Sequence, residues 1–195
     1  MNTTSARWIA DRSRLVTLLR QRSVTRGTFV LASGAQSPYY VDARRTTMTG
    51  EGLALIGRLG LATMRERGWA PRAVGGLTMG ADPIAFAIAH AARLEGHALD
   101  AFSVRKHAKE HGAEQRIEGG LTPGDEVVIC EDVITTGRSA LDAIEAVRAA
   151  GATVLGVLAI VDREEGGRAP IEAAGVPVVA LVPVSELLEP PSASQ

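Results

Sequence analysis

Apolar positions along the chain follow two different periods. From about Ser5 to Gln21 they fall at helical spacing through Trp8, Ile9, Leu15, Leu18 and Leu19, which predicts an amphipathic helix. Thr28–Ala43 is irregular, with bends at Gly34 and Pro38 and a strand at Tyr39–Val41. From Thr49 the pattern alternates. Gly52–Arg67 predicts a helix stopped by Gly68 and Pro71, and Ala73–Gly76 a short strand. Asp82 reads as an N-cap, with Pro83 at the first helical position and Gly96 past the end. Leu99–Val104 is the next strand, whereas Arg105–Gly120 is polar and lacks a period. Glu126–Cys130 is a buried strand, followed by a loop and a helix from about Arg138 to Ala150. That helix places Leu141, Ile144 and Val147 on one stripe and Asp142, Glu145 and Arg148 on another, and Gly151 ends it. Thr153–Val161 and Val176–Leu181 complete the strands.

Strand, helix, strand in this rhythm predicts an α/β fold: an open parallel sheet flanked by crossover helices. The irregular N-terminal strands form a small hood over the sheet's active edge. With no repeat and no long linker, residues 1–195 read as one domain, with the hood at about 1–45, the core at about 46–188 and a frayed tail at 189–195.

Composition narrows the function classes. Hydrophobic residues make up 46% and charged residues 22%, which excludes disordered and disulfide-rich classes. The 21 basic residues nearly balance the 22 acidic ones, unlike a protein that wraps nucleic acid. No apolar run is long enough to span a bilayer, and MNTTSARWIADRSR lacks the apolar stretch of a secretory signal. The single cysteine, Cys130, fits a reducing cytoplasm and reads as a small core residue rather than a nucleophile. Aromatics are only 4%, so Ala, Val, Leu and Ile must build the core, with helices lying close on the sheet.

Candidate chemistry concentrates in Val127–Ser139, VVICEDVITTGRS. A near-continuous apolar strand ends in two carboxylates, Glu131 and Asp132, then Val133, Ile134 and the small-residue turn Thr135–Thr136–Gly137. Ligands of open α/β sheets bind at the carboxyl ends of strands. A turn running into a helix N-terminus offers backbone N–H groups and a positive dipole end, so Thr135–Ser139, including Arg138, suits a phosphate monoester. Carboxylates beside a phosphate repel it unless a polyol separates them, and each can accept from a sugar hydroxyl. The stretch reads as a ribose-5-phosphate cradle; no lysine follows the glycine, so it is not a Walker loop. A plain helix start with acidic N-terminal residues is the competing reading.

These residues resemble the phosphoribosyl pyrophosphate (PRPP) motif of the type I phosphoribosyltransferases. The resemblance implies that Glu131 and Asp132 hold the ribose hydroxyls and that the Thr135–Ser139 loop holds the 5-phosphate. A second segment agrees. The chain has only two lysines, Lys106 and Lys109, grouped with Arg105, His107 and His111. A solvated basic loop is one reading; the other is a mobile cationic arm that follows charge as pyrophosphate departs. R-K-x-x-K-x-H-G is similar to the catalytic loop of the orotate-using, pyrimidine branch of the family. Phe29-x-Leu31-x-Ser33-Gly34-x-x-Ser37-x-Tyr39 resembles that branch's N-terminal motif, and Asp162–Arg163 its orotate-contacting arginine.

The resemblance implies transfer of ribose 5-phosphate from PRPP to N1 of orotate. Lys109 and His111 would be catalytic, and Arg105 and Lys106 would also contact PRPP. Arg163, Thr135 and Tyr40 would contact orotate. Mg²⁺ would be held mainly by PRPP and pyrophosphate oxygens, with no protein metal ligands. It further implies a homodimer sharing loop 105–120 across the interface, with no nucleic-acid or membrane partner. A phosphoribosyltransferase for another base and a non-catalytic PRPP sensor are the alternatives. Two positions depart from the pattern: Ala32 stands where many members have lysine, and Gly76–Pro83 lacks an aromatic-lysine pair, with Arg44, Arg45 or backbone N–H groups as possible substitutes.

Overall fold

The computed structural model describes residues 3–30, 36–106 and 116–189. Its elements, in order, are α1 (Thr3–Arg22), β1 (Val24–Val30), β2 (Gln36–Val41), α2 (Arg44–Thr47), α3 (Gly50–Glu66), β3 (Ala73–Leu77), α4 (Asp82–Leu94), β4 (Asp100–Val104), β5 (Ile117–Gly119), β6 (Glu126–Ile134), α5 (Arg138–Ala149), β7 (Thr153–Asp162), α6 (Arg168–Ala173), β8 (Val178–Pro183) and α7 (Val184–Leu188). β1 and β2 form a separate antiparallel pair, and the main sheet has the order β5-β4-β3-β6-β7-β8. All its neighbours are parallel except the β4–β5 pair.

Side-chain alternation along the central strands sorts the core onto the two faces of this sheet. Val128 and Cys130 of β6 and Leu158 and Ile160 of β7 pack with α1, α3 and α4. Val127 and Ile129, with Val157 and Ala159, pack on the other face under α5. Helix α1 enters the first core through Leu15, Leu18 and Leu19, so the segment ahead of the hairpin is part of the main packing. Glycine also lets two helices approach each other: a Cβ on Gly57 of α3 would lie 2.5 Å from the Ala87 carbonyl oxygen of α4.

β6 runs on to Ile134, past the Cys130 end expected from hydropathy, because β7 continues to pair with it through Val133↔Val161 and Ile134↔Asp162. The polar stretch before it contains β5, a three-residue edge strand. The N-terminus of α4 also differs. Ala81 is its N-cap and no side chain caps it, while Asp82 instead accepts from Thr78 Oγ1 at 2.6 Å and Ser103 Oγ at 2.7 Å. The short helices α2, α6 and α7 were not expected from the pattern.

The chain leaves β3 toward β4 on one side and returns to β6 on the other. The carboxyl ends of β3 and β6 therefore flank a topological switch point, the usual ligand crevice of open sheets.

Packing on β7 is tight enough to test. A Cβ on Gly156 would lie 2.2 Å from Trp69 Cζ2. Gly156→Ala should cost about 1–3 kcal/mol of stability through overpacking. Urea unfolding measures it, and an unchanged midpoint would contradict this packing.

Candidate active site

β6 delivers two acids to the switch point because its preceding residues, Val127–Cys130, are fully buried and fix its position. Burial also pushes the Cys130 thiol up to about 12, which leaves it a core residue. Glu131 is buried, and its Oε2 has no hydrogen-bond partner. Burial first, then the charge of Asp132, raises Glu131 well above the ordinary carboxylate range. Burial raises Asp132 as well, opposed by the Val133 N–H, which donates to its Oδ1 at 2.9 Å, and by the charge of Arg44. Burial thus makes both acids hold a proton more tightly than an exposed carboxylate would.

The loop after β3 closes against these acids. A Cβ on Gly80 would lie 2.7 Å from Asp132 Oδ1, so any side chain here would have to push the carboxylate aside. Thr78, bound to Asp82, and Ser103, bound to the same carboxylate, tie this loop to the end of β4. Arg44 pairs with Asp42 at 2.8 Å and also acts on Asp132 and Tyr40, which brings the hairpin's end into the field of the site. Arg45 is exposed.

Beyond the acids, Thr135–Ser139 wraps a cavity of about 120 Å³ lined by Glu131 and residues 133–139. Gly137 is the N-cap of α5 at φ 78, with no capping side chain and no acid in the first helical turn. The opening of this helix is therefore electropositive and free of internal carboxylates. A Cβ on Gly137 would lie 2.3 Å from the Gly167 carbonyl oxygen, and one on Gly167 would lie 2.3 Å from that of Thr135. The loop after β6 and the turn after β7 are thus pressed backbone to backbone.

That second turn carries Arg163. Its N–H donates to the Ile134 carbonyl at 2.9 Å, joining it to the first loop. Its side chain is only 4% exposed, yet Nε and NH2 make no hydrogen bond. The guanidinium lies over the ring of Tyr39, 5.0 Å from its centroid. Glu165 Oε1 lies 2.7 Å from NH2 as its ion-pair partner, and a guanidinium edge of this kind has the geometry to take a planar anion.

The structure therefore brings Glu131, Asp132, Val133, Ile134, Thr135, Thr136, Gly137, Arg138, Ser139 and Arg163 into one region. Tyr40 is exposed on the hairpin with its ring 5.7 Å from that of Phe29, and its neighbour Tyr39 is the one that meets Arg163. Arg105 binds Glu118 at 2.8 Å at the base of the β4–β5 ribbon, and Lys106 is exposed beside it. Lys109, His111 and His107 lie outside the described residues, as do Leu31, Ala32, Ser33 and Gly34. Sequence reasoning missed the roles of Tyr39, Asp82, Glu165 and Gly167. The signal for Gly167 was its place in a Gly-Gly pair shortly after Arg163; the contacts of the others depend on tertiary structure.

The family profile of the phosphoribosyl transferase domain matches residues 49–177. The chain is 46% identical over 181 residues to an orotate phosphoribosyltransferase from Aquifex aeolicus, covering 91% of this chain and 98% of that one. Among solved structures it is similar to the Mycobacterium tuberculosis orotate phosphoribosyltransferase in complex with Fe(III) dicitrate, with TM-score 0.82, 44% identity and coverage of 92% of this chain and 99% of that one. The same enzyme in complex with PRPP gives TM-score 0.77 at 42% identity, covering 91% and 98%.

Because the acid pair is raised, the folded chain binds protons more tightly than the unfolded chain. The stability this contributes is fully present below the ordinary carboxylate range and is lost as pH rises through the raised values. Glu131→Gln should therefore melt above the unsubstituted protein at about pH 8, and the difference should close toward about pH 4. A difference that does not narrow on acidification, followed by calorimetry, would contradict the buried-pair description.

Proposed function

The chain belongs to the orotate phosphoribosyltransferases of the phosphoribosyltransferase family, and we infer that it transfers ribose 5-phosphate from PRPP to N1 of orotate. The products are orotidine 5′-monophosphate and pyrophosphate, a step of pyrimidine nucleotide biosynthesis. The observation that carries this reading is the near-full-length similarity to enzymes of that name. The local geometry is compatible: the buried Glu131 and an open helix N-terminus line one cavity, and Arg163 is joined to the same loop through the Ile134 carbonyl.

In this reading the 5-phosphate sits in the Thr135–Ser139 loop, and Glu131 and Asp132 take the ribose hydroxyls. Arg163 receives the orotate carboxylate and Thr135 and Tyr40 contact its ring. The C1–O bond to pyrophosphate breaks with its electron pair leaving on pyrophosphate, the N1–C1 bond forms, and the proton of orotate N1 is released to the departing pyrophosphate or to solvent. Catalysis is then chiefly positioning and charge stabilisation. Lys109 and His111, with Arg105 and Lys106, stabilise the leaving group.

We read Mg²⁺ as an ion carried by the substrate and held mainly by PRPP and pyrophosphate oxygens, as the family resemblance implies. The buried Glu131 Oε2 has no hydrogen-bond partner, so the acid pair could take the ribose hydroxyls beside the ion. When bound, it neutralises charge on the pyrophosphate.

We also read the protein as a homodimer in which segment 105–120 completes the neighbouring site, which rests on the family resemblance, and as cytoplasmic, which rests on the single cysteine fitting a reducing compartment. No helix among the described residues is long and apolar enough to cross a membrane.

Orotate absorbance should fall when the protein is given PRPP and Mg²⁺, with no turnover when hypoxanthine, xanthine or adenine replaces orotate. Lys109→Ala should lower kcat by about 100-fold or more, with little change in the orotate KM. Turnover of a purine in place of orotate, or an intact kcat in the variant, would contradict this reading.

A further inference from the structure

The turn that follows β7 is sharply bent and held at both sides. Glu164 occupies the left-handed region at φ 57, which residues with a side chain rarely adopt. Its N–H donates to Asp162 Oδ1 at 2.8 Å, and its carboxylate accepts from the Ser185 N–H at 2.8 Å. This bend folds Glu165 back toward Arg163, so that Glu165 Oε1 lies 2.7 Å from Arg163 NH2. The contact is a close ion pair at NH2, while Nε keeps no hydrogen-bond partner.

The two partners differ in freedom. The Arg163 side chain is 4% exposed and covered by Tyr39, whereas that of Glu165 is 35% exposed. Tyr39 occupies a face of the guanidinium, and the Nε–NH2 edge, where Glu165 lies, has the shape that a carboxylate matches side-on. With no ligand present, Glu165 compensates a cation that would otherwise be buried alone. Once another carboxylate takes that edge, Glu165 becomes a like charge beside it.

We propose that Glu165 is a positioning residue, the resident counter-ion of Arg163, and that the carboxylate of orotate displaces it on binding. The proposal rests on the reading that Arg163 receives that carboxylate. Glu165 then sets how tightly the anionic ring is held. It also spares a neutral pyrimidine from being bound against an uncompensated guanidinium.

The test compares Glu165→Gln, Glu165→Ala and Glu165→Asp in steady-state kinetics, with uracil as a competing neutral ligand and melting temperature as a check on folding. Removing the charge with Gln or Ala should lower the orotate KM by about three- to tenfold, with a much smaller change in kcat. Uracil should compete no better, or less well, so discrimination between the two ligands widens. Glu165→Asp, which keeps the charge, should remain near the original KM. Arg163→Ala should raise the orotate KM by about tenfold or more. If Gln and Ala leave the orotate KM unchanged or raise it while Arg163→Ala still raises it, Glu165 is not the displaced counter-ion and the site reading stands. If Arg163→Ala leaves the orotate KM unchanged, the site reading fails and takes the proposal with it.

Discussion

Gly137 and Gly167 face each other across a gap that no side chain can enter. A Cβ on either would come within 2.3 Å of a carbonyl oxygen on the opposing segment. Gly137 must also hold φ 78, which glycine adopts without penalty. The loop that opens α5 and the turn that carries Arg163 are therefore a single unit. Their alignment fixes the distance between the proposed phosphate cavity and the arginine edge. The sheet supplies the rest: β6 and β7 stay paired to their last residues, Ile134 and Asp162, so neither loop can slide along the other.

Within that frame the site concentrates unsatisfied groups. Among the described residues, the charged side chains with buried atoms outside any hydrogen bond are Glu131 and Arg163, and both belong to the candidate site. Leaving such groups unpaired opposes folding, and a ligand can return what folding leaves open. A ribose presents hydroxyls to an acid pair, and a planar carboxylate presents two acceptors to a guanidinium edge. The substrates inferred from the family thus match the two ends of the site in chemical kind. Asp82 has a quieter part: by gathering Thr78 and Ser103 it holds the loop that brings Gly80 against Asp132.

Much of this was legible in the sequence because its signals are local. The stripe of Leu141, Ile144 and Val147 defines α5, and the run from Val127 to Cys130 defines a buried strand. The motif through Thr135 and Gly137 marks the junction between them. What was not legible depends on neighbours distant in sequence. Glu131 and Asp132 interrupt the apolar run, so hydropathy ends β6 four residues before its pairing with β7 does. β5 is a three-residue edge strand whose partner in β4 sets its conformation, not its own pattern. Asp82 carries the signature of an N-cap, but two hydroxyls from other segments take its oxygens. The choice of Tyr39 over Tyr40 as the partner of Arg163 reflects the register of the β1–β2 hairpin. Helices of four to six residues, such as α2 and α6, are too short to show a period.

Binding of the 5-phosphate by the glycine turn of the β6–α5 junction can be read by calorimetric titration of PRPP with Mg²⁺ into Gly137→Ala, beside the unsubstituted protein and with both shown folded by their melting curves. The variant should bind PRPP more weakly by about tenfold or more, because the turn and its contact with Gly167 must shift. Equal affinity in the two proteins would contradict it.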